Sequence, residues 1–115
     1  MNIDAVGNGP TRSTTFTIKQ EVLVTHITTY HWNDGQGADP GTIGLRSASG
    51  RMYGPWEAEG IPGQGGVPDA SWEVFPEVVI PPGTYTVVDS DLATWSRNSA
   101  SGGRGMCSVK VILDF

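Results

Sequence analysis

The chain lacks most of the residues that would tie it to nucleic acid, to a metal cluster or to a bilayer. Its single cysteine, Cys107, excludes an internal disulfide framework and a multi-cysteine zinc site. Only 7 residues are Lys or Arg against 12 Asp or Glu, and the basic residues are spread from Arg12 to Lys110. Nucleic acid is therefore not an expected partner. No apolar stretch approaches the roughly 18 residues of a membrane span, so none is predicted.

The beginning of the chain offers little to a folded core. The segment from Met1 to Thr15 is polar and lacks the apolar region of a signal peptide, which leaves two alternatives open: an intracellular protein, or an exported one whose leader is not in this sequence. Residues 1–13 contain two Gly and a Pro and show no periodicity. They predict a loose N-terminal arm, followed by one domain over residues 14–115.

No helical periodicity of convincing length occurs, whereas strand-like alternation recurs between loops that are rich in the 16 Gly and 8 Pro. We expect about seven or eight short strands. The segment 15–32 should divide near residues 19–21, and the segment 51–57, with Gly54 and Pro55, should be an edge or bulged strand. The other predicted strands are 42–46, 71–75, 77–80, 84–88 and a closing strand from Cys107. Without βαβ spacing, this pattern predicts a single antiparallel all-β sandwich or jelly roll.

One stretch carries a family resemblance. The run PPGTYTVVDSD begins at Pro81 and follows an apolar strand. It resembles the corner found in small bacterial β-sandwich modules, such as pre-peptidase C-terminal domains and carbohydrate-binding jelly rolls. The likeness covers residues 80–88 and implies a binding or accessory role on an exported or cell-surface protein. It transfers no site residues, because function does not follow from fold alone.

Aromatic residues beside loops are the strongest functional signal. An exposed ring can stack on a sugar face while neighbouring polar side chains form hydrogen bonds. We therefore expect a ligand surface, with carbohydrate as its candidate ligand, at Trp32, Asn33, Tyr53, Trp56, Trp95, Arg97 and Asn98. The alternative is that large rings close the ends of a small core. About two of the four loop-edge aromatics should then pack inward, and Trp72 is assigned to the core.

Carboxylates in the same loops suggest a metal ion. Calcium takes six to eight oxygen ligands and is often bound by flexible loops. This predicts an optional structural calcium at Asp34, Asp39, Asp89 and Asp91, with Asp69 as a further candidate. The alternative is turn chemistry, because Asp caps backbone N–H groups in glycine-rich loops.

Histidine ligation is less well supported. His26 and His31 are five residues apart, so a regular strand points them to opposite faces. We expect His26 on or near the core face and His31 in solvent at the mouth of a loop. Cys107 lies in an alternating apolar strand, which predicts a small buried side chain rather than a nucleophile.

Signals for catalysis are weak. Glu57 and Glu59 would share one face of a strand, but solvated charges explain them better. The segment Ser99 to Gly105 (SASGGRG) lacks the lysine and following helix of a phosphate cradle and predicts a mobile loop. We therefore expect no enzyme.

Three functions are carried forward. The first is a non-catalytic binding module. The second is a structural or assembly protein whose exposed aromatics and strand edges form an oligomer interface. The third, a small hydrolase, ranks last.

Overall fold

The computed structural model describes residues 7–10, 13–97 and 105–113. Within these ranges the chain forms eleven β-strands and two short 3-10 turns, at Asn33–Gly35 and Gln64–Gly66. The strands are β1 (Gly7–Asn8), β2 (Thr15–Ile18), β3 (Val22–Tyr30), β4 (Thr42–Ser47), β5 (Met52–Glu57), β6 (Glu59–Ile61), β7 (Ser71–Val74), β8 (Val78–Ile80), β9 (Gly83–Asp89), β10 (Ser96–Arg97) and β11 (Cys107–Ile112). None of the described residues belongs to a helix long and apolar enough to cross a membrane.

The strands form two main antiparallel sheets. The first sheet has the order β2-β9-β4-β5, and the second has the order β11-β3-β7-β6, with β8 pairing β3. A short ladder joins β1 to β10. Buried residues from both sheets, among them Ile27, Trp72, Ile43 and Tyr85, pack between them. The predicted all-β sandwich is confirmed.

Several local predictions are confirmed as well. The segment 15–32 divides at residues 19–21 into β2 and β3. β5 is an edge strand, and its register against β4 shifts between Ile43 and Leu45. Trp72 is fully buried. At the PPGTY corner, Tyr85 is buried and its hydroxyl donates to the carbonyl of Pro81 over 2.5 Å, and burial raises the pKa of this phenol. The corner motif is therefore a packing feature.

Two predicted irregular segments contain strands. β6 lies between the predicted strands 51–57 and 71–75, and β10 lies between the predicted strand 84–88 and the closing strand from Cys107. Gly7 and Asn8 pair with β10, so this part of the expected N-terminal arm joins a sheet. Strands of two or three residues are too short to show a periodicity, which is why the sequence pattern missed them.

A bulge in β3 sets the direction of its side chains. His26 pairs with Lys110 and Val24 pairs with Val111, so the register shifts at Thr25. Val24 before the bulge and Ile27 after it are both buried. The alternation of inward and outward side chains therefore changes phase within β3. Beyond the bulge the odd-numbered residues face the core, and His26, Thr28 and Tyr30 face the outside of the second sheet.

The loops after β3, β6 and β9 lie at one end of the sandwich, which we call the loop end (residues 31–41, 62–70 and 90–97). Ala38 N–H donates to Asp69 O over 3.5 Å, and Trp32 N–H donates to Ser96 Oγ over 2.8 Å. These bonds join all three loops. The hexads GQGADP and GQGGVP, which begin at Gly35 and Gly63, thus belong to neighbouring loops.

Candidate functional site

Two rings lie side by side where β3 enters the loop end. Tyr30 and Trp32 are both half-buried, and their ring centroids are 6.4 Å apart with planes inclined by 18°. We call these two residues the aromatic pair. Trp32 was predicted from the sequence, and Tyr30 was not. The signal that could have identified Tyr30 is its i, i+2 spacing from Trp32, which places two strand residues on one face.

Trp32 is held by its backbone on both sides. Its N–H donates to Ser96 Oγ, and its carbonyl accepts from Gly35 N at 3.0 Å and Gly37 N at 3.1 Å. The following residues, Asn33 (φ 48°) and Asp34 (φ 53°), have left-handed backbones. Non-glycine residues adopt this conformation at a cost of about 1–3 kcal/mol, and such strain clusters at functional sites. The tryptophan is therefore fixed on a tightly specified turn.

Polar residues follow Trp32 on its turn and lie on β10. Asn33 Nδ2 donates to Gly37 O over 2.8 Å, and the side chain of Asp34 is exposed. Arg97 is half-buried in β10, and its Nε donates to Gly9 O over 2.7 Å. β10 pairs with β1, and β1 contacts the turn Asn33–Gly35. The structure thus places Trp32, Asn33 and Asp34 on one turn. Arg97 lies on β10, next to the Ser96 that accepts from Trp32 N–H. Asn98 and most of SASGGRG, residues 98–104, lie outside the described residues.

Two predicted ligand-stacking aromatics are instead core residues. Trp95 is 2% exposed, and its Nε1 donates to Met106 O over 3.0 Å. Tyr53 is 8% exposed, and its ring meets Tyr85 edge-on at 6.1 Å. The expectation that these rings form a ligand surface is wrong, and the expectation that about two of the four pack inward is confirmed. Both rings belong to the buried core.

Trp56 is half-buried and packs against the core from β5, the edge strand of the first sheet. It is in the other sheet from the aromatic pair. Its ring lies against Gly54, where a Cβ would come 2.9 Å from it. We therefore treat Trp56 as a packing residue and leave it out of the site.

The positions predicted for the two histidines are reversed. His31 is fully buried, whereas the side chain of His26 is 18% exposed. The bulge at Thr25 is the physical reason, because it moves His31 onto the core face and His26 onto the outer face. His31 Nε2 donates to Asp89 Oδ2 over 2.7 Å, and its ring stacks on Trp72 at 3.7 Å. The prediction that the histidines face opposite sides is consistent with this arrangement.

The predicted calcium ligands are dispersed. Asp34 and Asp39 are exposed, and Asp69 and Asp91 are half-buried. The buried carboxylate of Asp89 accepts hydrogen bonds from His31 and from Asp91 N, the latter at 2.8 Å. Across residues 7–10, 13–97 and 105–113, no group of three or more His, Cys, Asp or Glu could hold a metal ion. Calcium stays a prediction that no side-chain cluster of the described part supports.

Cys107 is exposed, so the expectation of a buried side chain is wrong. It lines an apolar groove of about 320 Å³ between β2 and β11, edge strands of the two sheets. Desolvation by the apolar side chains around it raises the pKa of the Cys107 thiol to about 11. The thiol is therefore accessible but weakly acidic, which argues against a catalytic nucleophile.

A comparison of the chain with protein-family models, with curated proteins and with solved structures found no match.

Proposed function

We propose that the chain is a non-catalytic binding module that holds a carbohydrate on the aromatic pair. The observation that carries the proposal is the stacked, half-buried geometry of Tyr30 and Trp32 on a backbone fixed by hydrogen bonds. Sugar rings present apolar C–H faces, and aromatic rings can cover them while nearby polar groups bind the hydroxyls. Asp34 can accept such hydrogen bonds, and the Arg97 guanidinium can donate them.

The buried His31 and Asp89 support a binding role over a hydrolytic one. Both side chains have 0% exposure, so neither can reach a substrate. A general base must come within hydrogen-bond reach of the proton that it abstracts. His31 and Asp89 are instead buried structural residues that bond each other beneath the loop end.

The test compares the substitution of Trp32, in the aromatic pair, with the substitution of Trp56, which serves as the control. The protein is screened on an array of soluble glycans, and the affinity for each hit is measured by isothermal titration calorimetry. We expect Trp32→Ala to weaken binding by about tenfold or more, equivalent to about 1.4 kcal/mol. Trp56→Ala, which removes a half-buried tryptophan from the other sheet, should change affinity less than about twofold. Equal affinities of the two variants, or a complete lack of glycan binding, would contradict the proposal.

The apolar groove favours a second candidate, self-assembly. β11 is an edge strand with two exposed apolar residues, Val111 (37%) and Ile112 (43%), and the exposed Leu113 (58%) follows it. Edge strands with apolar side chains readily pair with other chains. Sedimentation velocity over a wide concentration range tests this candidate. A concentration-dependent dimer that Val111→Lys abolishes would support it, and a monomer throughout would reject it.

A further inference from the structure

A second aromatic surface lies on the same face as the aromatic pair. Phe75, just beyond β7, is 58% exposed, and its ring stacks on His26 with centroids 4.8 Å apart and planes inclined by 10°. His26 is fixed in turn, because its Nε2 donates to Glu73 Oε1 over 3.0 Å. One face of the phenyl ring is covered by the imidazole. The exposed remainder is a rigid apolar surface on the outside of the second sheet.

The β3 bulge aligns the two aromatic surfaces. Beyond Thr25, the outward residues of β3 are His26, Thr28 and Tyr30. Tyr30 is four residue steps along the strand from His26, a distance of about 13 Å at about 3.3 Å per step. The two aromatic surfaces therefore lie along one strand, farther apart than a single sugar ring can span.

Polar side chains fill the space between them. Thr28 pairs with Glu73 on β7 and with Ser108 on β11, and Tyr30 pairs with Ser71. By strand alternation all of these side chains point outward, because Trp72 and Val74 between them are buried. Hydroxyls and a fixed carboxylate between two apolar surfaces suit a ligand that alternates C–H faces with hydroxyl groups.

The charges on this face select against polyanions. The chain has a net charge of −5. Glu59 pairs with Glu73 and Lys110 pairs with His26, so this face carries two carboxylates against one ammonium group. Like charges in contact raise the free energy of a complex. A neutral chain avoids this cost.

We infer that the outer face of β3 binds a linear, neutral, β-1,4-linked polysaccharide that extends from the aromatic pair to a second subsite at His26 and Phe75. This inference rests on the proposed function. Equatorial β-1,4 links keep the sugar chain extended, which matches a binding surface laid out along an extended strand.

The experiment separates the two subsites by ligand length. Titration calorimetry is run with disaccharides and hexasaccharides of β-1,4-linked glucose, xylose and N-acetylglucosamine. We expect a hexasaccharide to bind about tenfold or more tightly than the disaccharide of the same sugar. Phe75→Ala should remove this gain and leave disaccharide binding unchanged. Met52→Ala, which truncates a 40% exposed side chain on the first sheet, is the control and should change neither affinity.

The outcomes distinguish the inference from the proposal beneath it. If Trp32→Ala weakens both ligands and Phe75→Ala weakens neither, the aromatic pair binds sugar but the second subsite does not exist. If the glycan array yields only branched or anionic ligands, the ligand class is wrong. If Phe75→Ala alters the oligomeric state and no glycan affinity, the outer face is a protein contact and the inference fails. Absence of any saccharide binding overturns both.

Discussion

The imidazole of His31 lies 2.7 Å from the carboxylate of Asp89, and neither side chain reaches solvent. His31 follows β3 in the second sheet, and Asp89 ends β9 in the first, so this hydrogen bond joins the two sheets directly beneath the loop end. A second hydrogen bond of 2.8 Å joins His31 Nδ1 to the hydroxyl of Thr94. Trp32 is the next residue along the chain. The position of the aromatic pair therefore depends on a buried polar contact.

Replacement of His31 by Ala should be the most destabilising change at the loop end. It leaves the Asp89 carboxylate buried without this partner and removes the ring that stacks on Trp72. Removing one partner of a buried hydrogen bond costs about 1–3 kcal/mol, and more where the group left behind is a charged carboxylate. Urea unfolding followed by circular dichroism measures the loss.

His26→Ala is the matched control. His26 also bonds a carboxylate, that of Glu73, but both side chains are partly exposed. Such pairs contribute about 0–1 kcal/mol, so the midpoint should move little. A His31→Ala protein as stable as His26→Ala would refute the structural role of the buried pair.

Gly105→Ala should destabilise the protein through a steric clash. Gly105 is buried, and a Cβ there would collide with the ring of Trp95. Overpacking of this kind costs about 1–3 kcal/mol. Gly50→Ala is the control, because Gly50 has φ 97° and open space around it, so only backbone strain of about 1–2 kcal/mol applies. Thermal unfolding of both variants compares the two; a stable Gly105→Ala protein would show that Trp95 is not packed there.

Cys107 should react slowly with alkylating agents near pH 8 although it is exposed. A pKa raised from 9.0 to about 11 lowers the thiolate fraction about 100-fold. The greater nucleophilicity of a more basic thiolate offsets about tenfold of this. The net rate with iodoacetamide should be about tenfold below that of the urea-unfolded chain, and it should keep rising to about pH 11. Equal rates in the folded and unfolded chains would contradict this account of the groove.

Calcium should leave the thermal midpoint unchanged. A ligand that binds only the folded state raises the midpoint by mass action. The described residues contain no group of three or more His, Cys, Asp or Glu that could hold the ion, and Asp89 is already bonded to His31. Differential scanning calorimetry with calcium and then with EDTA tests this. A rise that EDTA reverses would restore the predicted site at the loop aspartates.

The fold could be predicted from the sequence because its signals are local. Alternating apolar residues, proline at Pro76 and the turn at residues 81–83 placed most strand boundaries within a few residues. β6 and β10 escaped prediction because their pairing is fixed by neighbouring strands and not by their own composition.

The candidate site was predicted only in part, because the extra residue at the β3 bulge reverses which of the following side chains face the core. Trp32 and Asn33 were found through loop composition. His26 and His31 have reversed positions because of the bulge at Thr25, and the same bulge places Tyr30 on the outer face. The bulge itself depends on pairing with β11. The burial of Trp95 depends on Gly105, ten residues away, a contact that no local pattern reports.

The most direct test of the central claim follows the indole N–H signals of the protein in a ¹⁵N-edited magnetic resonance titration. The probe is the glycan that binds best on the array. The account predicts that the Trp32 indole and the amides of residues 30–35 shift, while the indoles of Trp72 and Trp95, bonded to Ala38 O and Met106 O, stay in place. Shifts confined to the groove at Cys107 and Val109, with Trp32 unmoved, would contradict it.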